Sequence, residues 1–365
     1  MALDDLLPLP FRVLALLVLG AWLWLLTLRI ASTRNINLTY LLKLDPSTQL
    51  TTQHELRCVN VTITSVATYL LYSLLHDSTT QELTLWDVLP LFAIAWTLHQ
   101  LCAPRTSRLS TSLARVFKGG INRDIRTNDI VLSDTLTSYS KVLVDLAVYI
   151  CHLYNFQTCL PKNTGPTLDR KCGEQVLLDT MVGSIPNFIR LSQCMQEWRV
   201  TGDSMHLWNF LKYSSNIPVL VTGLLMRQRD GYTGIWVFFA MLNSGYSFWW
   251  DINNDWNLNL FKFGHRTVGD DWLRIKLHYD IREFYYLAII FDFIGRFVWV
   301  AKFLPSPEKG DTIFYIGATM LFSTESGWFA LEVLEILRRW VWVFIKLEVD
   351  YITLTNNKDV EMNSL

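Results

Sequence analysis

The chain has 365 residues, of which 51% are hydrophobic, 13% aromatic and only 18% charged, with 32 Lys and Arg against 33 Asp and Glu. A mean hydropathy of +0.22 over this length exceeds what one globular core can hide, which argues for a surface that largely faces lipid and against a soluble enzyme. The net charge of -1 removes the case for a basic nucleic-acid binder, and the composition leaves no long disordered or low-complexity tract.

A membrane helix needs roughly 20 mostly apolar residues. In chain order the candidate spans are 11–28, 58–75, 84–103, a Ser/Asp/Lys-spotted stretch at 131–154, a weak one at 176–195, then 207–226, 233–250, 284–304 and a long tract over 312–348. The first is longer than the apolar stretch of a signal peptide and no clean small-x-small cleavage site follows it, so it reads as a span. Leu109 to Phe117 is short and basic, an amphipathic or re-entrant piece. The expectation is an all-α polytopic membrane protein with about nine or ten transmembrane helices. Residues 1–130 read as conventional lipid-facing helices, 131–350 as a helical core with ionisable residues at depth, and 351–365 as a cytosolic tail.

Orientation follows from Lys and Arg in short loops, which stay cytosolic. With both termini cytosolic, the loop around Lys118, Arg123 and Arg126 and the loop carrying Lys262, Arg266, Arg274, Lys276 and Arg282 face the cytosol, while Arg227 and Arg229 count against the scheme. The same choice places the Asn37-Leu38-Thr39 sequon in the lumen, where Asn37 would be a glycosylation acceptor. It also places the loop between Cys159 and Cys172 there, where a disulfide fits an oxidising compartment and two free thiols fit equally well. The six cysteines form no CxxC pair and have no histidine at metal spacing, so neither metal nor other cofactor is expected.

A charge at the bilayer centre costs at least about 2.5 to 3.5 kcal/mol on insertion scales, so each one points to function. Here Asp134, Lys141 and Asp145 share one candidate span, Lys212 opens another, Asp292 and Arg296 share a third, and Glu332, Glu335, Arg338 and Arg339 occupy the last. Helices that carry this load must surround something polar. Asp292 stands four before Arg296 and Glu335 four before Arg339, the favourable order for pairs along a helix, which leaves Arg338 as the arginine most in need of an outside anion. The tract 312–348 would extend roughly 55 Å if straight, too long for a core of about 30 Å, and Ser326-Gly327 is the natural break. The hydroxyls from Ser133 to Ser140 mark a polar face or merely bond back to their own helix. Asp251 and Asp255, between tryptophans, gate a cationic cluster, cap helices or are simply solvated. His265 to Asp270 has the HxxxxD spacing of membrane acyltransferases without any companion motif, and no HExxH, GxSxG or P-loop is present, so no enzymatic activity is expected.

Four ordered runs then carry a resemblance: Pro186 to Cys194, Trp250-Asp251-Ile252-Asn253-Asn254-Asp255-Trp256, Gly295-Arg296-Phe297-Val298-Trp299, and Leu334 to Trp342. They resemble the EXS domain of the eukaryotic phosphate exporters, of their plant relatives and of the fungal ER-retention-defective proteins of the Golgi, over nearly the whole chain. The resemblance is greatest to the short members without an SPX domain. It implies a multi-pass Golgi membrane protein, with the ER or plasma membrane as alternatives, that returns inorganic phosphate released by luminal glycosylation to the cytosol. A linked role in retaining glycosyltransferases and ER residents is also implied. By the same resemblance Arg296, Arg338 and Arg339 hold phosphate with Lys212 and Tyr213, Trp299 gates, and Asp134, Ser140 and Asp255 support the path, to which the charge pattern adds Asp292 and Glu335. Gln196 and Glu197 replace a paired arginine of the family, and Lys346 and Val349 replace an Arg and an Asn. The implied partners are phosphate, membrane lipids, Golgi glycosyltransferases and coat or sorting proteins, with a homodimer left open and no nucleic acid. The rival reading is a sorting adaptor that binds glycosyltransferases or coat proteins without transporting.

Overall fold

The computed structural model describes residues 6–43, 50–76, 83–102, 109–122, 125–156, 176–228, 231–261, 272–279, 281–303 and 320–363, and among them every regular element is helical. The helices are α1 (Leu9–Thr33), the short α2 (Leu38–Leu41), α3 (Leu50–Leu75), α4 (Leu89–Cys102), α5 (Leu109–Phe117), α6 (Arg126–Ser138), α7 (Ser140–Tyr154) and α8 (Val176–Thr201). They continue with α9 (Ser204–Ser214), α10 (Asn216–Gln228), α11 (Thr233–Trp250), α12 (Arg282–Phe297) and α13 (Glu325–Asn363). Among the described residues four stretches are by themselves long and apolar enough to cross a membrane: Leu9–Thr33, Thr51–Leu75, Leu85–Cys102 and Arg282–Phe303. That is fewer than the nine or ten expected, because most of the remaining helices are interrupted halfway or carry charge.

Burial is inverted relative to a soluble domain. Leu56, Ile63, Leu70, Leu74 and Phe92 on α3 and α4 are exposed, while Asp134, Arg190, Asp251, Asp292 and Arg338 are buried. Apolar side chains turned outward and charges turned inward suit a bundle whose solvent is lipid.

α1 and α13 run side by side in the same direction. At one end Arg12 binds Glu325 at 2.8 Å, and Tyr69 Oη donates to the Leu6 carbonyl at 2.5 Å. At the other end His278 Nε2 lies 2.7 Å from the Arg34 carbonyl oxygen, Tyr351 Oη donates to the Asn35 carbonyl at 3.3 Å, and Arg274 binds Glu348 at 2.5 Å. This corrects the orientation drawn from the sequence in two ways. Asn37, exposed and capping α2 by accepting the Tyr40 N–H at 2.9 Å, lies at the same end as Arg274 and Lys276, so the sequon and that basic loop do not face opposite compartments. The start of α1 and the end of α13 lie at opposite ends, so they are not on one side of a membrane that both helices cross.

The domain boundaries expected at 130 and 350 both fall inside helices, α6 and α13. α13 begins just beyond a bend at Thr324, two residues before the expected break at Ser326-Gly327. Gly327 explains the location: a Cβ there would sit 2.3 Å from the Leu321 carbonyl oxygen and 2.4 Å from that of Met320, and its N–H donates to Thr324 Oγ1 at 3.0 Å. Cys159 and Cys172 lie outside the described residues, as do His265 and Asp270. Among the described residues Cys58, Cys102 and Cys194 are free thiols.

Candidate functional site

Among the described residues, four helical interruptions occur in the polar half of the bundle. α6 gives way to α7 at Tyr139, and α9 to α10 at Ser215. α11 passes into a π-helical turn, Asp251–Asp255, and α12 into a 3-10 segment, Val298–Phe303. At Tyr139 the local cause is visible. Thr135, Thr137, Ser138 and Ser140 crowd the turn, and Thr135, Thr137 and Ser140 donate back to carbonyls three or four residues earlier, a habit that bends helices. The Tyr139 ring leaves its own helix to donate to the Leu16 carbonyl at 3.1 Å, over Gly20, where a Cβ would lie 2.0 Å from the phenol oxygen. Interrupted helices and π turns free backbone groups and re-aim side chains, and in membranes they are tolerated where they line a polar site.

The functional side chains sit at these interruptions and converge. Arg296, at the end of α12, pairs with Asp251 of the π turn and lies 3.3 Å from Asp292 one turn earlier. Arg338 of α13 makes two bonds to Glu335, at 2.9 and 2.7 Å, and a third to Asp292 at 2.7 Å. Lys212, at the end of α9, binds Asp251 at 2.8 Å and reaches Asp255 at 3.5 Å. Tyr213 beside it donates to Asp134 of α6. Arg190 of α8 binds the same Asp134 at 2.7 Å, with its guanidinium 5.0 Å from the Tyr213 ring centre. Its Nη1 also donates to Gln193 Oε1 at 2.7 Å.

Arg339 differs. Its Nε donates to Ser138 Oγ at 2.9 Å and its Nη2 to Thr137 Oγ1 at 3.1 Å, and its guanidinium rests 4.8 Å from the Trp342 ring centre. No carboxylate lies within 4.0 Å of it among the described residues, although it is buried. This reverses the sequence expectation. Glu335 turns to Arg338, three residues on, rather than to Arg339, four on, so Arg339 and not Arg338 lacks an acid. The Glu335 carboxylate also accepts from Ser138 Oγ at 2.7 Å, which links Arg338 to Arg339 through one hydroxyl.

These side chains form a balanced set: Arg190, Lys212, Arg296, Arg338 and Arg339 against Asp134, Asp251, Asp255, Asp292 and Glu335. Balance matters because an unpaired ion in a low-dielectric interior costs several kcal/mol. A planar guanidinium offers forked donors that fit a carboxylate or another tetrahedral or planar oxyanion equally well. The arrangement can therefore hold an oxyanion by exchange, one Arg-to-carboxylate contact giving way to one Arg-to-ligand contact.

Of the residues picked from sequence, Arg296, Arg338, Arg339, Lys212, Tyr213, Asp134, Asp255, Asp292 and Glu335 join this set. Ser140 does not, since its Oγ donates to the Thr137 carbonyl at 2.7 Å on its own helix. Trp299 stands at the border, its indole donating to Ser244 Oγ at 3.0 Å with the ring edge-on to Trp236 at 5.3 Å. Arg190 and Asp251 are central in the structure; Arg190 is not among the sequence candidates, and Asp251 reads there, with Asp255, as a gate for a cationic cluster, a helix cap or a solvated acid. Each lies in a quoted run, and the legible signal was a charge inside a weak or terminal span. A satellite cluster lies one turn away, where Lys141 contacts Asp145 and, at 3.4 Å, Glu332.

Residues 7–352 match the model of the EXS family. Protein ERD1 of Kluyveromyces lactis is 36% identical over 270 residues, covering 68% of this chain and 66% of that protein. Protein ERD1 homolog 1 of Schizosaccharomyces pombe is 30% identical over 259 residues, with coverages of 67% and 64%. Solute carrier family 53 member 1 of Mus musculus is 29% identical over 258 residues, 66% of this chain but 34% of that protein. The matched region thus spans just under two thirds of the two fungal relatives and about a third of the mouse one. With the four motif runs in order along a helical bundle, and with the charged positions of those runs gathered at its interior, the chain belongs to the EXS family.

Proposed function

We propose that the protein conducts inorganic phosphate across a Golgi membrane, from lumen to cytosol, through the arginine network. The observation that carries the reading is Arg339: a buried guanidinium that, among the described residues, is held by two hydroxyls and an aromatic face and by no carboxylate, one hydroxyl away from the Arg338–Glu335 pair. A phosphate dianion supplies the counter-charge that this arginine lacks, and Arg338, Arg296 and Lys212 pass it along by exchanging carboxylate for phosphate oxygen. Asp134 and Tyr213 position Arg190 and Lys212 at the far side of the path. Trp299, which lines the adjoining cavity and donates to Ser244, gates the path.

The path of the chain supports nine crossings: α1, α3, α4, α6 with α7, α8, α9 with α10, α11 with its π turn, α12 with its 3-10 segment, and α13. The end bearing Arg274, Lys276 and Arg126 is the cytosolic one by the positive-inside rule. Asn37 then faces the cytosol and is not a glycan acceptor. Return of phosphate supports luminal glycosylation and, through it, retention of glycosyltransferases.

The test is efflux of radiolabelled phosphate from liposomes that hold the purified protein. Efflux above that of empty vesicles is expected. Its absence from well-folded protein overturns the transport reading and leaves the sorting adaptor.

A further inference from the structure

We propose that a cavity beside the arginine network, sharing Glu335 with it, is a second oxyanion site, in which Arg227 and Lys302 capture phosphate before it passes Trp299. The inference rests on the transport reading for its direction of flow, but its binding claim stands on this cavity. The cavity has a volume of about 340 Å³ and opens between α10, α11, α12 with its 3-10 segment, and α13. At about 30 Å³ per water this is on the order of ten waters, room for a tetrahedral oxyanion that keeps part of its hydration.

Arg227 comes from the last turn of α10 and Lys302 from the last turn of the 3-10 segment. Both are exposed, and neither has a hydrogen bond or ion pair among the described residues. The acid in the lining is Glu335, whose charge is already taken by the two bonds from Arg338. Among the described residues the cavity therefore presents to an entering anion two positive charges with no paired acid. Low-dielectric walls, here including Trp236 and Trp299, focus that potential and raise the local anion concentration. The far wall is thin: Gly295 lines the cavity, and a Cβ on it would lie 2.6 Å from Arg338 Cδ. An anion held in the cavity is thus one side chain away from the network, with Trp299 in the lining.

Lys302 supplies its own reporter, because an ammonium held against phosphate is a poor nucleophile. The full-length protein is treated with a trace amine-acylating reagent, and acylation of Lys302 is followed by mass spectrometry while inorganic phosphate replaces chloride at constant ionic strength. Phosphate is expected to slow acylation of Lys302 several-fold where chloride does not, with the effect lost in Arg227→Gln and kept in Arg339→Gln. Equal reactivity in phosphate and chloride, as for a lysine that merely anchors a helix end at the membrane surface, overturns the proposal. So does protection that survives Arg227→Gln, or protection that disappears in Arg339→Gln, since the cavity would then not be an independent site. Protection of Lys302 in a protein whose vesicles show no phosphate efflux keeps this site and removes the transport reading alone.

Discussion

Arg338 and Arg339 are neighbours in sequence with opposite environments, and the difference is measurable. Arg338 holds two carboxylates, and replacing it breaks the buried pair with Asp292, which keeps Arg296 at 3.3 Å, and the pair with Glu335, which is 36% exposed. Breaking a fully buried pair costs about 3 to 5 kcal/mol, so the loss here lies at or below the bottom of that range. Arg339 holds hydroxyls, which lose only ordinary hydrogen bonds at roughly 1 kcal/mol each. Arg338→Gln should therefore lower the melting temperature in detergent clearly more than Arg339→Gln. Equal losses would show that Arg339 also holds an acid. The sequence made the charges legible and half of their pairing: Asp292 to Arg296 forms as the four-residue spacing predicts, at 3.3 Å. Glu335 to Arg339 does not, because three- and four-residue neighbours are equivalent on a helix face and Asp292 from α12 draws Arg338 toward the same place. Arg190 was legible only as a charge inside a weak span, since its partner Asp134 lies on another helix and no spacing along one element brings them together.

At the scale of elements, the site exists because helices stop where they do. Composition predicted a break near Ser326-Gly327, and the structure has it at Thr324, stabilised by a glycine that admits two carbonyl oxygens. A Gly327→Ala variant must push aside Met320 or Leu321 backbone, and the expected result is a loss of about 1 to 3 kcal/mol, as for overpacking. An unchanged unfolding transition would mean that the bend does not depend on that contact. The break at Tyr139 was not foreseen. Its hydroxyl-rich turn reads as a polar face or as hydroxyls bonded back to their own helix, and Thr135, Thr137 and Ser140 do bond back, but the decisive partner is Gly20 on α1, whose missing side chain lets the Tyr139 phenol reach the Leu16 carbonyl. Gly20→Val should displace that ring and weaken the junction of α6 with α7, seen as protease sensitivity within 125–156. Resistance equal to wild type would contradict this account of the break.

For the whole molecule, hydropathy alone recovered the all-helical membrane class and the lipid-facing character of α3 and α4. It did not recover orientation, because charge counting in loops assigns sides one crossing at a time and one miscounted crossing inverts everything before it. The contacts of α1 with α13 show that the two helices run parallel. Single accessible cysteines placed at position 37 and at position 276, in protein freed of its other reactive thiols, should respond to a membrane-impermeant thiol reagent from the same side. Labelling from opposite sides would refute the parallel placement.

The central claim is that phosphate crosses through the buried arginines. It is tested most directly by phosphate efflux from liposomes, comparing wild type with Arg339→Gln at equal reconstituted amounts and with the melting transition of each variant recorded. Efflux in the wild type that falls to the level of empty vesicles in folded Arg339→Gln is the predicted result. Efflux that persists in that variant would place the path elsewhere and contradict the account.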